Sequence, residues 1–399
     1  MPRALWLLIV GMAVNMTGSS FLWPLNTIYI HDHLGKSLSV AGVVLMCNSA
    51  ATVIGNLLGG SFYDKIGGYK TVLIGIGTTL AALICLSIWN SWPEYIIFLV
   101  GIGLGTGIIF PPMYAMAGSV WKEGGRKAFN AMYVAANLGV AIGSALGGFV
   151  ADYSFQYIFI ANTFMYFIFL CLAVFGYRGI SVVNNIKMTE AHPAEVKQNQ
   201  KNLRALLILC IGYLLGWAAY VQWSTTIAAY IQELHISLKQ YGLLWTINGA
   251  MIVFGQPVVK VFIKYFAKSL KTQMLIGMVV FIGSFLAAAY AHSFKGFVVG
   301  MIILTIGEMF VWPAVPTVAF QLAPKGREGF YQGFVNSTAT GGRMLGPLAG
   351  GMLVDTYGMP ILFIVMIGLF IISFLTTFIY DHNLKEKKLP LKHKKSQIC

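Results

Sequence analysis

Two charged side chains, Glu308 and Arg343, lie deep inside long apolar runs, and the chemistry of this sequence has to be sought around them first. Glu308 stands 13 residues after Lys295, and Arg343 stands 12 residues before Asp355. At a helical rise of about 1.5 Å per residue, both sit roughly 18–20 Å in from those flanking charges, so their depths match. A charge near the middle of a bilayer costs at least ~2.5–3.5 kcal/mol, and such residues therefore face a partner or a water-filled cavity. Two arrangements are open. In one, Glu308 carries a proton and exchanges it for a cation, either a substrate or the Arg343 guanidinium. In the other, the pair is a permanent ion pair that only fixes helix register.

Other chemistry finds little footing. All seven histidines fall in loops, tails or at the ends of apolar runs. His31-Asp32-His33 reads as a solvated loop rather than a metal site. The five cysteines have no metal-like or disulfide-like spacing, and no paired acids, nucleophile elbow or phosphate loop occurs. The sequence therefore predicts no catalytic group, no resident metal and no cofactor. Lack of a Walker motif argues against a self-contained ATP-driven pump.

The elements that hold Glu308 and Arg343 in place are membrane spans. Hydrophobic residues make up 57% of the 399 and charged residues only 10%, where a soluble domain carries about one-quarter charged. Apolar stretches near the ~20 residues needed to cross a bilayer recur along the whole chain. Twelve are read, at 5–30, 37–62, 71–91, 95–120, 128–151, 155–177, 204–231, 241–265, 272–291, 296–322, 330–354 and 359–380. The first is too long for a signal peptide and lacks a clear cleavage site.

The net charge of +14 does not point to nucleic acid, because its placement follows the membrane. With the N-terminus inside, only Lys36, Lys239, Lys295 and Arg343 of the 27 Lys and Arg fall away from the inner loops and ends. This is the positive-inside pattern, and it predicts a multi-pass cell-membrane protein with both termini in the cytoplasm. The basic tail, 381–399, is expected to lie near anionic lipid.

The chain also repeats itself. A polar linker, 178–203, separates two six-span halves, 1–177 and 204–380. Gly105-Thr106 stands six residues before Pro111, as Gly307-Glu308 stands six before Pro313. Gly143-Ser144-Ala145-Leu146-Gly147-Gly148 is echoed by Gly346-Pro347-Leu348-Ala349-Gly350-Gly351. Small residues four apart let helices approach closely, and packing alone explains each block. Their matched placement in both halves is what points to transport, since alternating access is built by rocking two similar bundles about a central site.

Between spans 2 and 3 the chain reads Gly60-Ser61-Phe62-Tyr63-Asp64-Lys65-Ile66-Gly67-Gly68-Tyr69-Lys70. This resembles the cytoplasmic loop motif of the major facilitator superfamily, and the likeness extends over nearly the full chain. Gly68 and Tyr69 stand where that motif usually carries Arg or Lys. The resemblance implies an all-α membrane fold of twelve helices in two pseudo-symmetric bundles. Asp64 lies at the C-terminal end of span 2, where the helix dipole disfavours an anion, so it needs a positive partner. Lys65, Lys70, Arg126 and the N-terminal end of span 11 lie on the same side. Asp64, Gly67, Lys70 and Arg126 are accordingly expected to form a latch that holds an outward-facing state.

The glycine-proline block of span 11 is similar to the motif of drug:proton antiporters. In that branch the proline-bearing copy belongs to span 5, which here has Ser144, and the arginine usual in span 4 is absent. In the resembled fold, spans 1, 4, 7 and 10 with 2, 5, 8 and 11 line the central cavity. That places Asn26, Tyr114, Tyr133, Asn137, Trp217, Tyr220 and Trp312 as candidate lining residues. An aromatic and amide lining with one carboxylate suits an amphipathic ligand, cationic ones included; Trp and Tyr also form interfacial belts.

The reading is a secondary active transporter, not an enzyme, that exports hydrophobic or amphipathic compounds in exchange for protons through Glu308 and Arg343. Its partners are a small-molecule substrate, protons and the lipid bilayer, with no nucleic acid, and the resemblance implies a monomer. A carrier of sugars, amino acids or other metabolites is the first alternative. A non-transporting membrane sensor or lipid-handling protein is the second.

Overall fold

A backbone in hydrocarbon has no water to satisfy its N–H and C=O groups, so apolar runs of this length fold as helices, each closing its own hydrogen bonds. A computed structural model describes residues 1–22, 25–180, 193–382 and 384, and among them there is no strand. Residues 181–192 of the expected linker and the tail lysines from Lys385 to Lys395 lie outside the described residues.

In the first half the spans are Arg3–Leu22, Leu38–Ile66, Gly68–Ile88, Glu94–Val120, Arg126–Tyr153 and Phe155–Gly176. Ser37 and Ser154 start spans 2 and 6 by accepting a backbone N–H with their side-chain hydroxyls, which satisfies one of the orphan donors of a first turn. Span 1 ends earlier than expected, and a short helix, Asn26–Ile28, and a π-turn, Tyr29–His33, follow it.

The second half is more broken. Span 7 runs Pro193–Tyr220, passes through a 3₁₀ turn at Val221–Ser224, and resumes at Thr226–Glu233. It therefore starts eleven residues before the expected 204. Proline at the first helical position and the helix-forming Ala-Glu-Val-Lys-Gln after it extend the helix into what reads as polar linker. Span 8 is bent by 61° between its Phe254 and Gln256 segments, with Pro257 in the first turn of the second piece. Span 9 is Leu270–Ala289, and span 10 is split into Phe294–Val311 and Ala314–Leu322 around Pro313. Spans 11 and 12 form one continuous run, Glu328–Ile379, that turns at Gly358, whose φ of 79° suits glycine. Counting the bent span 8 once and the long run twice gives twelve crossings among the described residues, as the hydropathy predicts.

The buried apolar side chains gather into two clusters. One is built from residues between Leu5 and Ile180, the other mostly from residues between Ala205 and Tyr380. Large apolar side chains such as Phe175, Phe254 and Ile364 are exposed, as the lipid-facing surface of a membrane bundle must be.

The two halves meet along spans 2 and 11 at the end of the bundle that carries the chain termini. Gly60 and Gly329 pack backbone to backbone there, and a Cβ built on Gly333 meets the Asn56 carbonyl. Only a hydrogen fits at these places. Gly333→Leu is expected to force spans 2 and 11 apart at a cost of about 1–3 kcal/mol, the range for overpacking a close contact. Thermal unfolding in detergent micelles, followed by tryptophan fluorescence, should show a lower midpoint; an unchanged midpoint would mean that the seam is open in the resting protein.

Candidate functional site

Glu308 is 3% exposed, one turn before span 10 breaks at Pro313. Its carboxylate accepts three hydrogen bonds. Tyr220 of span 7 donates to Oε1 at 2.9 Å, Asn248 of span 8 donates to Oε1 at 2.6 Å, and Tyr133 donates to Oε2 at 3.2 Å. Tyr133 belongs to span 5, so the carboxylate of the second half is held partly by the first. The same Asn248 amide also reaches Thr305, one turn before Glu308.

The next residue along span 10 is tied to the same helix. Pro313 has no N–H, so the Met309 carbonyl loses its partner four residues on. Arg126, at the start of span 5, donates to that carbonyl from Nη2 at 2.7 Å. Asn130 lies between them in sequence and donates to Gln256 of span 8 at 2.8 Å. Arg126, Asn130, Tyr133 and Asn137 recur at a spacing of four, three and four residues, which is one face of a helix. The first three cross to the second half. The Asn137 amide instead bonds the Tyr133 carbonyl of its own helix.

Above this carboxylate lies an aromatic group. Trp217 and Trp312 stack with ring centroids 4.3 Å apart and planes 9° from parallel. Tyr220 meets both edge-on, and Tyr213 packs against both as well. Arg343 lays its guanidinium over the Trp217 ring at 4.6 Å and donates from Nη2 to Thr340 at 3.2 Å. Thr340 also accepts from Asn56 of span 2 at 3.4 Å.

Several expectations need correction. Of the two arrangements open for the deep charges, the permanent ion pair is not the one present: among the described residues no ion pair within 4.0 Å joins Glu308 and Arg343. Burial explains this, since Glu308 is already surrounded by neutral donors while Arg343 stands exposed with its guanidinium over the Trp217 ring. Asn26 is not beside the aromatic group. It is 4% exposed and accepts from Tyr95 at 2.6 Å inside the first half, where that hydroxyl needs an acceptor. Tyr114 is half-buried and stacks on Phe129, in the neighbourhood of Arg343.

Asp64 finds its positive partner in a helix end rather than a side chain. Its two oxygens accept from the backbone N–H groups of Gly329 and Phe330, both at 2.8 Å, at the start of span 11. These are first-turn donors with no partner inside their own helix, on the positive end of its dipole. Arg126 is taken up by Met309, Lys70 is exposed, and Gly67 caps span 2 with a φ of 87°. Ser337 adds a bond to the Val53 carbonyl at 3.1 Å, so four bonds tie the seam at three positions of span 2, Asp64, Asn56 and Val53. Sequence reasoning missed Asn248, Gln256 and Thr340. A lone amide such as Asn248 inside an apolar span was the available signal, since a polar group at that depth needs a partner.

Among the described residues no cluster of three His, Cys, Asp or Glu is present. Asp64→Asn keeps the shape of the latch but replaces charge-assisted bonds with neutral ones of about half the strength. The expected outcome is faster thiol labelling of a cysteine placed at Ser337, in a background whose five native cysteines are serine. An unaltered labelling rate would remove Asp64 from the latch.

Comparison with known proteins agrees with the fold. The family model described as Major Facilitator Superfamily matches residues 8–271 and, in an overlapping second match, 212–398. A protein of Bacillus subtilis (strain 168) described as an uncharacterized MFS-type transporter, YttB, is 57% identical over 388 residues, covering 97% of this chain and 98% of its own length. The multidrug resistance protein MdtH of Aeromonas hydrophila subsp. hydrophila is 22% identical over 88% of this chain and 87% of its own. Among solved structures, the human organic anion transporter MFSD10 (TETRAN) superposes with a TM-score of 0.76 at 14% identity, over 94% of this chain and all of that one, which is a likeness of fold.

Proposed function

We propose, from the premise that this chain belongs to the Major Facilitator Superfamily and is a multi-pass transporter of it, that it exports hydrophobic or amphipathic compounds in exchange for protons. The observation that carries the reading is the Glu308 carboxylate, buried at mid-span and bonded by both halves. The name of the MdtH relative supports the substrate class.

The mechanism follows from what a proton does to this cluster. As a carboxylate, Glu308 accepts only, and its bond to the Tyr133 hydroxyl is charge-assisted. A proton on Glu308 removes the charge and weakens that bond to the strength of a neutral one. The tie between the two halves at this level therefore tracks the proton. The halves 1–177 and 204–380 then rock as bodies about the site, with the seam of spans 2 and 11 opening and closing. The positive-inside distribution puts the termini, and with them the closed seam, on the cytoplasmic side, so this arrangement is the outward-facing one. Arg126 and Asp64 hold it closed, and a proton taken up at Glu308 from outside releases the Tyr133 tie and favours the turnover inward.

Substrate-driven proton movement in proteoliposomes tests this. Glu308→Gln keeps a hydrogen-bonding side chain of the same shape but binds no proton, and it should abolish proton-coupled flux while leaving exchange of substrate across the membrane. Tyr133→Phe deletes the cross-half bond, and a bond to a charged group is worth about 1.5–3 kcal/mol, so coupled flux should fall at least about tenfold. Full coupling in Glu308→Gln would place the proton elsewhere.

A further inference from the structure

The charge that a substrate meets in this site is positive. Glu308 is 3% exposed and its two oxygens already accept three bonds, whereas Arg343 is exposed. Arg343 is not open to lipid alone: it lies over Trp217, against which Tyr213 and Tyr220 of the second half pack, and it holds Thr340, which also accepts from Asn56 of the first half. A side chain at mid-span that is accessible yet ringed by groups from both halves lines the space between them.

Among the described residues no carboxylate comes within 4.0 Å of the guanidinium. Its one hydrogen bond goes to Thr340 and its one ring contact to Trp217, neither of which carries an opposite charge. A guanidinium has five N–H donors set in a planar fork, so four remain for a ligand. An uncompensated charge at such depth is costly and is kept where it meets a substrate or an ion. The indole N–H of Trp312, itself 6% exposed, also lacks an acceptor, so the aromatic wall beside Arg343 has a second donor unspent.

We propose that Arg343 recognises the anionic head of the transported compound, and that the substrates are aromatic or lipophilic carboxylic acids. The carboxylate takes the free edge of the guanidinium in a forked pair, the geometry that Arg and carboxylates share. The apolar body lies against the Trp217 and Trp312 stack and Tyr213. A cationic ligand, which an aromatic lining with one acid led the sequence to include, is repelled by Arg343 before it reaches the buried Glu308. The proposal rests on the reading of this site as the transport cavity, but not on Glu308 being the proton carrier. Thr340 joins Arg343 to Asn56 of span 2, so an acid that draws the guanidinium away also loosens the seam.

Calorimetric titration of the purified full-length protein in detergent separates these roles without any gradient. The probes are 2-naphthoate, the uncharged 2-naphthamide and the cationic 2-naphthylmethylammonium. Naphthoate should bind the unaltered protein at least tenfold tighter than either counterpart. Arg343→Gln should erase that preference, and Arg343→Lys, which keeps the charge but not the fork, should fall between. Glu308→Gln should still bind naphthoate even if it no longer moves protons, so loss of coupling and loss of acid recognition are told apart. Should Arg343→Gln fail to fold, the comparison of the three probes on the unaltered protein decides. Equal binding of acid and amide, tighter binding of the ammonium, no binding of naphthoate, or displacement of naphthoate by sulfate at equal concentration each overturns the assignment.

Discussion

A carboxylate cannot be kept in the middle of a membrane unless hydrogen-bond donors are brought to it, and most of the central architecture answers that requirement. Span 10 carries Glu308, yet its own backbone has no N–H to spare for the side chain. The donors come from spans 5, 7 and 8, two of them in the same half and one across the interface. Pro313 then opens the helix one turn later and leaves the Met309 carbonyl in the same need, which Arg126 meets. Residues 308 and 309 of one half are thus both bonded by one face of span 5 of the other. Any relative movement of the halves must break those bonds, so movement and the state of Glu308 share one free energy.

The seam between spans 2 and 11 works on a different principle. Close approach comes from glycine, which lets two backbones meet without side chains between them. Its strength comes from a carboxylate placed on helix N–H groups, where Asp64 satisfies two first-turn donors of span 11 at once. Such bonds have no long side chain to order and no cation to desolvate. They also break cleanly when the helices part, because the donors face water afterwards. That suits a contact that must open and close repeatedly better than a buried ion pair, whose desolvation cost returns on every closure.

What the sequence made legible follows from which interactions are local. The spans, the family and the two deep charges were visible because hydropathy and helical rise are properties of neighbouring residues. Asp64 could be seen to need a positive partner for the same reason. Which partner it takes was not visible: Arg126 and the start of span 11 both lay on the right side, and the choice turned on Pro313 leaving a carbonyl that only Arg126 reaches. Asn26 misled because position in an outer segment does not reveal that Tyr95 of span 4 claims its amide. Whether Glu308 and Arg343 pair could not be read from equal depth, because depth says nothing of angle about the bundle axis. The stripe of Arg126, Asn130, Tyr133 and Asn137 was present in the sequence all along as a helical periodicity of polar groups, and only its target was hidden.

Trp217 also bears on the two-site transport cycle proposed above. Tyr220 donates to Glu308 and packs its ring on Trp217, and Trp217 in turn carries the Arg343 guanidinium. Arg343 holds Thr340, which accepts from Asn56 at the top of the seam. A proton site and an anion site placed in direct contact would neutralise each other and bind neither partner well. In the proposed cycle, Tyr220 and Trp217 link Glu308 to Arg343 without a direct ion pair, so each group keeps its charge while the two share packed neighbours. Occupancy of one, under that proposal, bears on the other through these shared contacts, and on the seam through Thr340. The proposed coupling needs no long pathway: Tyr220 and Trp217 link Glu308 to Arg343, and Thr340 links Arg343 to Asn56 of the seam.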